Sequence, residues 1–207
     1  MAVAVKICGI TRVEDAITAA RAGAHAIGFV FYPSSPRCIA IAEAQRIARA
    51  LPPFITTVGV FVNPEGGCVE TVLRQIRLGM LQFHGDEDHD FCESFAVPYL
   101  KALRVRRDLD LLQYAASFPT AQGLLLDAYV PGDHGGTGQS FDWSLVPDSL
   151  PLPVVLSGGL DAGNVTTAIR RVRPWAVDVS SGVEIAKGIK DQAKIAAFMR
   201  GVRNADV

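Results

Sequence analysis

Leu156-Ser157-Gly158-Gly159-Leu160 and, further along, Val177-Asp178-Val179-Ser180-Ser181-Gly182 decide the reading of this chain. Each is a short apolar run that breaks off into serine and glycine. Apolar runs of this length between turn residues read as buried strands. The glycines behind them let backbone N–H groups come close to an anion. A helical pattern starting at Asp161 adds the favourable end of a helix dipole. A third cluster, Gly135-Gly136-Thr137-Gly138, stands before them and is able to fold over the same group. Glycine pairs alone read as ordinary turns; three clusters on consecutive strand ends point to a phosphate, with Gly136, Gly138, Gly158, Gly159, Ser180, Ser181 and Gly182 as its contacts.

The same strand-then-helix unit repeats back to the N-terminus. Val3–Cys8, Ala26–Phe31, Thr57–Val62, Gly79–His84, Tyr99–Val105, Gly123–Asp127, Val154–Ser157 and Ala176–Ser180 read as strands, with helical patterns between them. Thr11-Arg12-Val13-Glu14 has capping-box spacing ahead of the first helix. Asp86 and Asp161 suit N-caps of later helices. Leu109–Phe118 and Gln192–Val202 read as helices. Such a chain builds either a closed barrel or an open doubly wound sheet. No Gly-x-Gly-x-x-Gly follows the first strand, which disfavours the dinucleotide-binding version of the open sheet. The strand ends carry Cys8, the Phe31–Arg37 loop, Asn63, His84, Arg104, Asp127, Ser157-Gly158-Gly159 and Ser180-Ser181-Gly182. An open sheet would use one crevice; a closed barrel gathers every strand end around one mouth, where barrel enzymes work. The expected fold is a single (β/α)8 barrel over residues 1–207, with lean loops, since about 250 residues is typical.

Composition agrees. The chain has 207 residues and a formal net charge of −1. No basic patch marks a nucleic-acid partner. Mean hydropathy is +0.25, yet no apolar run reaches the ~20 residues of a membrane helix. The N-terminus lacks the pattern of a secretory signal, so the cytoplasm is the expected location. Cys8, Cys38, Cys68 and Cys92 show neither zinc-site spacing nor a disulfide framework. Cys38, Cys68 and Cys92 read as apolar filler or helix surface. A monomer and a homodimer both remain open.

Strand alternation places side chains. Val3, Val5 and Ile7 face the helices, so Ala4, Lys6 and Cys8 face the interior. Val177 and Val179 face out, and Asp178 and Ser180 face in. The first and eighth strands adjoin in a closed barrel, so Lys6 and Asp178 are expected to pair beneath the mouth. The ammonium is expected to lower the pKa of Cys8. A thiolate serves as a base and a carboxylic acid as a proton donor. Taken alone, Cys8 and Asp127 also fit a buried cysteine and a cap.

Eight segments in order carry a family resemblance. Lys6-Ile7-Cys8-Gly9-Ile10-Thr11, Gly28-Phe29-Val30-Phe31 with Ser34-Ser35-Pro36-Arg37, Gly59-Val60-Phe61-Val62-Asn63 and Gln82-Phe83-His84-Gly85 are the first four. Leu126-Asp127-Ala128, Gly136-Thr137-Gly138, Leu156-Ser157-Gly158-Gly159-Leu160 and Val177-Asp178-Val179-Ser180-Ser181-Gly182-Val183-Glu184 complete the set. Together they resemble phosphoribosylanthranilate isomerase. The resemblance implies an Amadori rearrangement of a small phosphorylated substrate in tryptophan biosynthesis, with no metal and no organic cofactor. It makes Cys8 the general base, Asp127 the general acid and Arg37 the grip on the anthranilate carboxylate. Asp178 orients the anthranilate nitrogen or serves only as the partner of Lys6. His84 is carried as a substrate contact or as a structural hydrogen bond at the mouth. Phe83 stands where the family often has leucine, and Lys187 where proline is frequent. The sister isomerase of histidine biosynthesis would want a carboxylate on the first strand and a second phosphate site. A metal-dependent epimerase would want clustered His and Asp ligands. A catalytically silent phosphate-binding barrel would not need both Cys8 and Asp127.

Overall fold

A computed structural model describes residues 3–128 and 140–205. Eight parallel strands close on themselves: β1 (Ala4–Ile7), β2 (Ala26–Val30), β3 (Thr56–Phe61), β4 (Met80–Phe83), β5 (Tyr99–Val105), β6 (Gly123–Ala128), β7 (Val154–Leu156) and β8 (Ala176–Val179). Each pairs with the next, and β1 closes the ring on β8 with Lys6 opposite Asp178. The expected (β/α)8 barrel is therefore the observed one. The helices are α1 (Val13–Ala22), α2 (Ile41–Ala50), α3 (Gly66–Gln75), α4 (His89–Glu93), α5 (Leu111–Ala116), α6 (Val165–Val172) and α7 (Gln192–Arg203). Between β6 and β7 the described residues hold only a 3-10 turn, Trp143–Leu145. Beyond β8 a short antiparallel pair follows, β9 (Glu184–Ala186) and β10 (Ile189–Lys190).

Alternation sorts the side chains into two layers. Val5, Ile7, Phe29, Phe61, Phe83, Val177 and Val179 bury themselves against the helices. Ala4, Met80, Leu100, Ala102, Leu125, Val155 and Ala176 fill the inside of the barrel floor. Lys6, Gln82 and Asp178 are buried above them. Cys8, Val30 and Val60 reach the mouth, with Tyr32 against them. Phe83 packs among Phe61, Phe91, Phe95 and Tyr99 at centroid distances of 5.7 to 6.2 Å. This helix-facing aromatic layer fixes β4, whose next residue is His84.

The helix termini depart from the sequence pattern more than the strands do. Thr11 does not cap α1: Arg12 occupies the N-cap without a side-chain bond, and the Thr11 hydroxyl donates to the Gly188 carbonyl. The pull of the β9–β10 turn wins over the capping box. Asp88, not Asp86, caps α4 by accepting from the Phe91 N–H. Asp161 closes the turn ahead of α6, accepting from the N–H groups of Gly163 and Asn164, while Asn164 holds the N-cap position. α5 is shorter than expected because Asp110 caps it, accepting from Leu112 and Gln113. Cys92 is buried in the helix-facing core; Cys38 and Cys68 are exposed.

Candidate active site

Cys8 stands one residue beyond β1 and is 8 % exposed. Gly28 on the neighbouring strand makes its space: a Cβ there would lie 2.8 Å from the Cys8 sulfur and 3.2 Å from Lys6 Cε. Under the sulfur, the Lys6 ammonium donates to Asp178 Oδ1 at 2.9 Å, with both groups buried. Asp178 outweighs the burial of Lys6 and holds its pKa above the ordinary lysine value. Cys8 departs from expectation. Burial pushes the thiol up, Asp178 pushes the same way, and the pull of Lys6 downward does not compensate. The cation is present, but burial outweighs it, and its partner carboxylate opposes it at the sulfur.

Asp127, on β6, is 4 % exposed. Its Oδ1 accepts from the Ala128 N–H at 2.8 Å, and its Oδ2 lies 3.1 Å from His84 Nε2. The other nitrogen of that ring, Nδ1, lies 2.9 Å from Gln82 Nε2. His84 is thus hydrogen-bonded to Asp127 while also lining the cavity. Behind it, the Lys101 ammonium donates to Glu87 at 2.7 Å and to the Gly85 carbonyl at 2.8 Å. Glu87 also accepts from the N–H groups of Asn63 and Gly85. This ion pair ties the ends of β3 and β4 together and so fixes the His84 backbone.

Arg37 is 7 % exposed, and its fork is already engaged. Nε and Nη2 donate to the two oxygens of Glu184, each at 2.8 Å. Glu184 also accepts from Lys190 at 2.8 Å, and Lys190 lies 3.2 Å from the Ser180 carbonyl. Burial alone would push Glu184 up, but Arg37 and Lys190 outweigh it and hold its carboxyl below the ordinary value. Burial lowers Lys190 more than Glu184 raises it. A bidentate Arg–carboxylate pair is geometrically rigid. Glu184 therefore fixes the plane of Arg37, and an incoming carboxylate would have to meet the N–H groups that Glu184 does not take.

The loops after β7 and β8 meet at the mouth. Gly158 has φ +83, and a Cβ there would crowd the Ala128 nitrogen at 2.6 Å and Asp127 Oδ1 at 3.0 Å. A Cβ on Gly182 would collide with the Leu160 carbonyl, so the loops after β7 and β8 touch directly. The Ser180 hydroxyl ties this rim to β1 by donating to the Cys8 carbonyl. Gly136 and Gly138 lie outside the described residues.

One cavity is lined by Cys8, Asp127, His84, Gln82, Arg37 and Asp178 together with Ser157-Gly158-Gly159 and Ser180-Ser181. Sequence reasoning missed Gln82, Glu87, Lys101, Glu184 and Lys190. Two had a signal. Gln82 is two residues from His84 on one strand, hence on the same face. Lys101 sits between inward-facing Leu100 and Ala102, so it must be buried on the helix side.

A family model described as N-(5'-phosphoribosyl)anthranilate isomerase matches residues 5–201. The N-(5'-phosphoribosyl)anthranilate isomerase of Nitrosospira multiformis is 61 % identical over 202 residues, covering 98 % of this chain and 97 % of its own. A phosphoribosyl anthranilate isomerase in complex with reduced 1-(o-carboxyphenylamino)-1-deoxyribulose 5-phosphate is 41 % identical, with TM-score 0.86 and coverage of 98 % and 99 %. A monomeric form of the dimeric isomerase from Thermotoga maritima is 40 % identical, with TM-score 0.86 and the same coverage.

Proposed function

The chain belongs to the N-(5'-phosphoribosyl)anthranilate isomerase family, and we propose that Cys8 and Asp127 perform its reaction as general base and general acid. The activity is the Amadori rearrangement of N-(5-phosphoribosyl)anthranilate to 1-(2-carboxyphenylamino)-1-deoxyribulose 5-phosphate, in tryptophan biosynthesis.

To act as the acid Asp127 has to carry a proton, which it gives to the furanose ring oxygen as the bond from that oxygen to C1 breaks. The nitrogen lone pair takes up the electron deficiency, and an iminium forms between C1 and nitrogen. Its positive charge acidifies the proton on C2. Cys8 takes that proton, the C2–H electrons form a C1–C2 double bond, and the iminium is neutralised. The enolamine then tautomerises to the ketone, so the reaction is an isomerisation with no atom gained or lost. Burial favours the thiol of Cys8 in the free enzyme; before the C2 proton is taken the sulfur gives its own proton to solvent, and the positive iminium beside it favours the resulting thiolate, which the C2 proton turns back into a thiol. Arg37 meets the anthranilate carboxylate, and the loops at Gly158-Gly159 and Ser180-Ser181-Gly182 hold the phosphate. The two anionic ends of the substrate anchor it, so the reacting carbons lie between base and acid. Asp178 serves first as the partner of Lys6.

What supports this reading is that sulfur, carboxyl, arginine and anion loop line one cavity. The test is loss of anthranilate-type fluorescence on mixing purified protein with fresh phosphoribosylanthranilate, with the histidine-pathway substrate in parallel. Turnover of the first is expected; no turnover would refute the assignment.

A further inference from the structure

Gln82 is 1 % exposed, and its hydrogen bond runs to His84. Among the described residues its Oε1 has no partner. Rotating the amide by half a turn would point Oε1 at His84 and strand the NH2 group instead. Orphaned buried N–H groups are rarer than under-satisfied carbonyl oxygens, and an NH2 strands two donors. The amide therefore faces His84 with its N–H. An N–H cannot meet another N–H, so Nδ1 must be the bare nitrogen, and the proton of the neutral ring sits on Nε2, aimed at Asp127.

We infer that Gln82 is a positioning residue that holds His84 in the Nε2–H tautomer, so that Asp127 faces a ready donor as it gives up its proton. The inference rests on Asp127 acting as the acid. When the proton leaves for the ring oxygen, a carboxylate remains. The Ala128 N–H already points at Oδ1 and the His84 Nε2–H at Oδ2. Donors fixed before the charge develops need no reorganisation during the step. Without the amide, His84 is free to adopt the other tautomer. Its bare Nε2 would then accept the Asp127 proton and hold it back from the sugar. Lys6 and Cys8 from β1, Asp178 from β8, Arg37 from the loop after β2, and Arg104, in register with Asp127 on β5, also act on this site. They are common to wild type and variant, so substitution at Gln82 isolates the amide.

The experiment reads the His84 ring directly by nitrogen-resolved NMR of the full chain, beside pH profiles of kcat. Wild type is expected to show a neutral ring protonated at Nε2. Gln82→Met, of similar volume, removes the donor that faces Nδ1 and is expected to show a fraction of the ring protonated at Nδ1, a form absent from wild type. Its kcat should fall about tenfold with KM within about twofold, and the basic limb of its profile should move to higher pH. Gln82→Glu, once ionised, presents only acceptors and should then also place a proton on Nδ1. A wild-type ring protonated at Nδ1 overturns the inference whether or not either variant folds. So does Gln82→Met with lower kcat but an unchanged tautomer and profile, which would be a merely structural role. If Asp127→Asn instead turns over normally, Asp127 is not the acid; that result is separate from the ring tautomer.

Discussion

Removing Lys6 should destabilise the barrel far more than removing Lys6 and Asp178 together. In Lys6→Met, Asp178 is left 4 % exposed with its 2.9 Å partner gone. Breaking a buried pair from one side costs about 3–5 kcal/mol, because the remaining charge stays desolvated. For a chain of this size each kcal/mol moves Tm by about 2–4 °C, so a fall of about 6–20 °C is expected. Replacing both with apolar residues, Lys6→Met with Asp178→Leu, should recover most of the loss, since a buried pair is often worth no more than a well-packed apolar substitute. The pH dependence has a definite sign. Asp178 holds Lys6 above its ordinary value, so its contribution is complete below about pH 10.4 and fades only as pH rises through the higher folded value. The deficit of Lys6→Met should therefore persist across neutral pH and narrow in strong alkali. Thermal and urea unfolding of the single and double variants measure this. A single variant within about 1 kcal/mol of wild type, or a double variant worse than the single one, refutes the reasoning.

Other consequences concern the mouth. Arg37→Ala should raise KM about 10- to 100-fold through loss of charge-assisted hydrogen bonds, while inhibition by inorganic phosphate stays nearly constant; equal loss of both would move Arg37 to the phosphate. Glu184→Gln should also raise KM by freeing the Arg37 plane, and should lower stability at neutral pH. Because Glu184 is held below its ordinary value, that deficit should close as pH falls from about 4.3 through the folded value; urea unfolding at several pH values decides. In the free enzyme, Cys8 should titrate above the ordinary thiol value, about 8.5, as ultraviolet difference absorbance between wild type and Cys8→Ser. A value at or below the ordinary one contradicts the dominance of burial.

Barrel closure was legible because alternation and polar strand ends are properties of single strands. The Lys6–Asp178 contact followed from alternation plus adjacency of the first and last strands. The Cys8 shift was misjudged because a sequence shows that a cation is near, not whether burial and a carboxylate outweigh it. Arg37 was found, but its Glu184 partner comes from a hairpin beyond the barrel, and that pairing depends on the fold of β9 and β10. Thr11 illustrates the limit of local motifs: its hydroxyl is taken by a carbonyl at Gly188, remote in sequence. Glu87 and Lys101 were missed for the same reason, since their meeting depends on strand register.

The sharpest measurement is single-turnover decay of anthranilate fluorescence in Cys8→Ala and Asp127→Asn at saturating substrate, with binding measured separately. Each variant should bind normally and slow the chemical step by about 10²- to 10⁴-fold. Decay at the wild-type rate in either one would remove that side chain from the proton transfers.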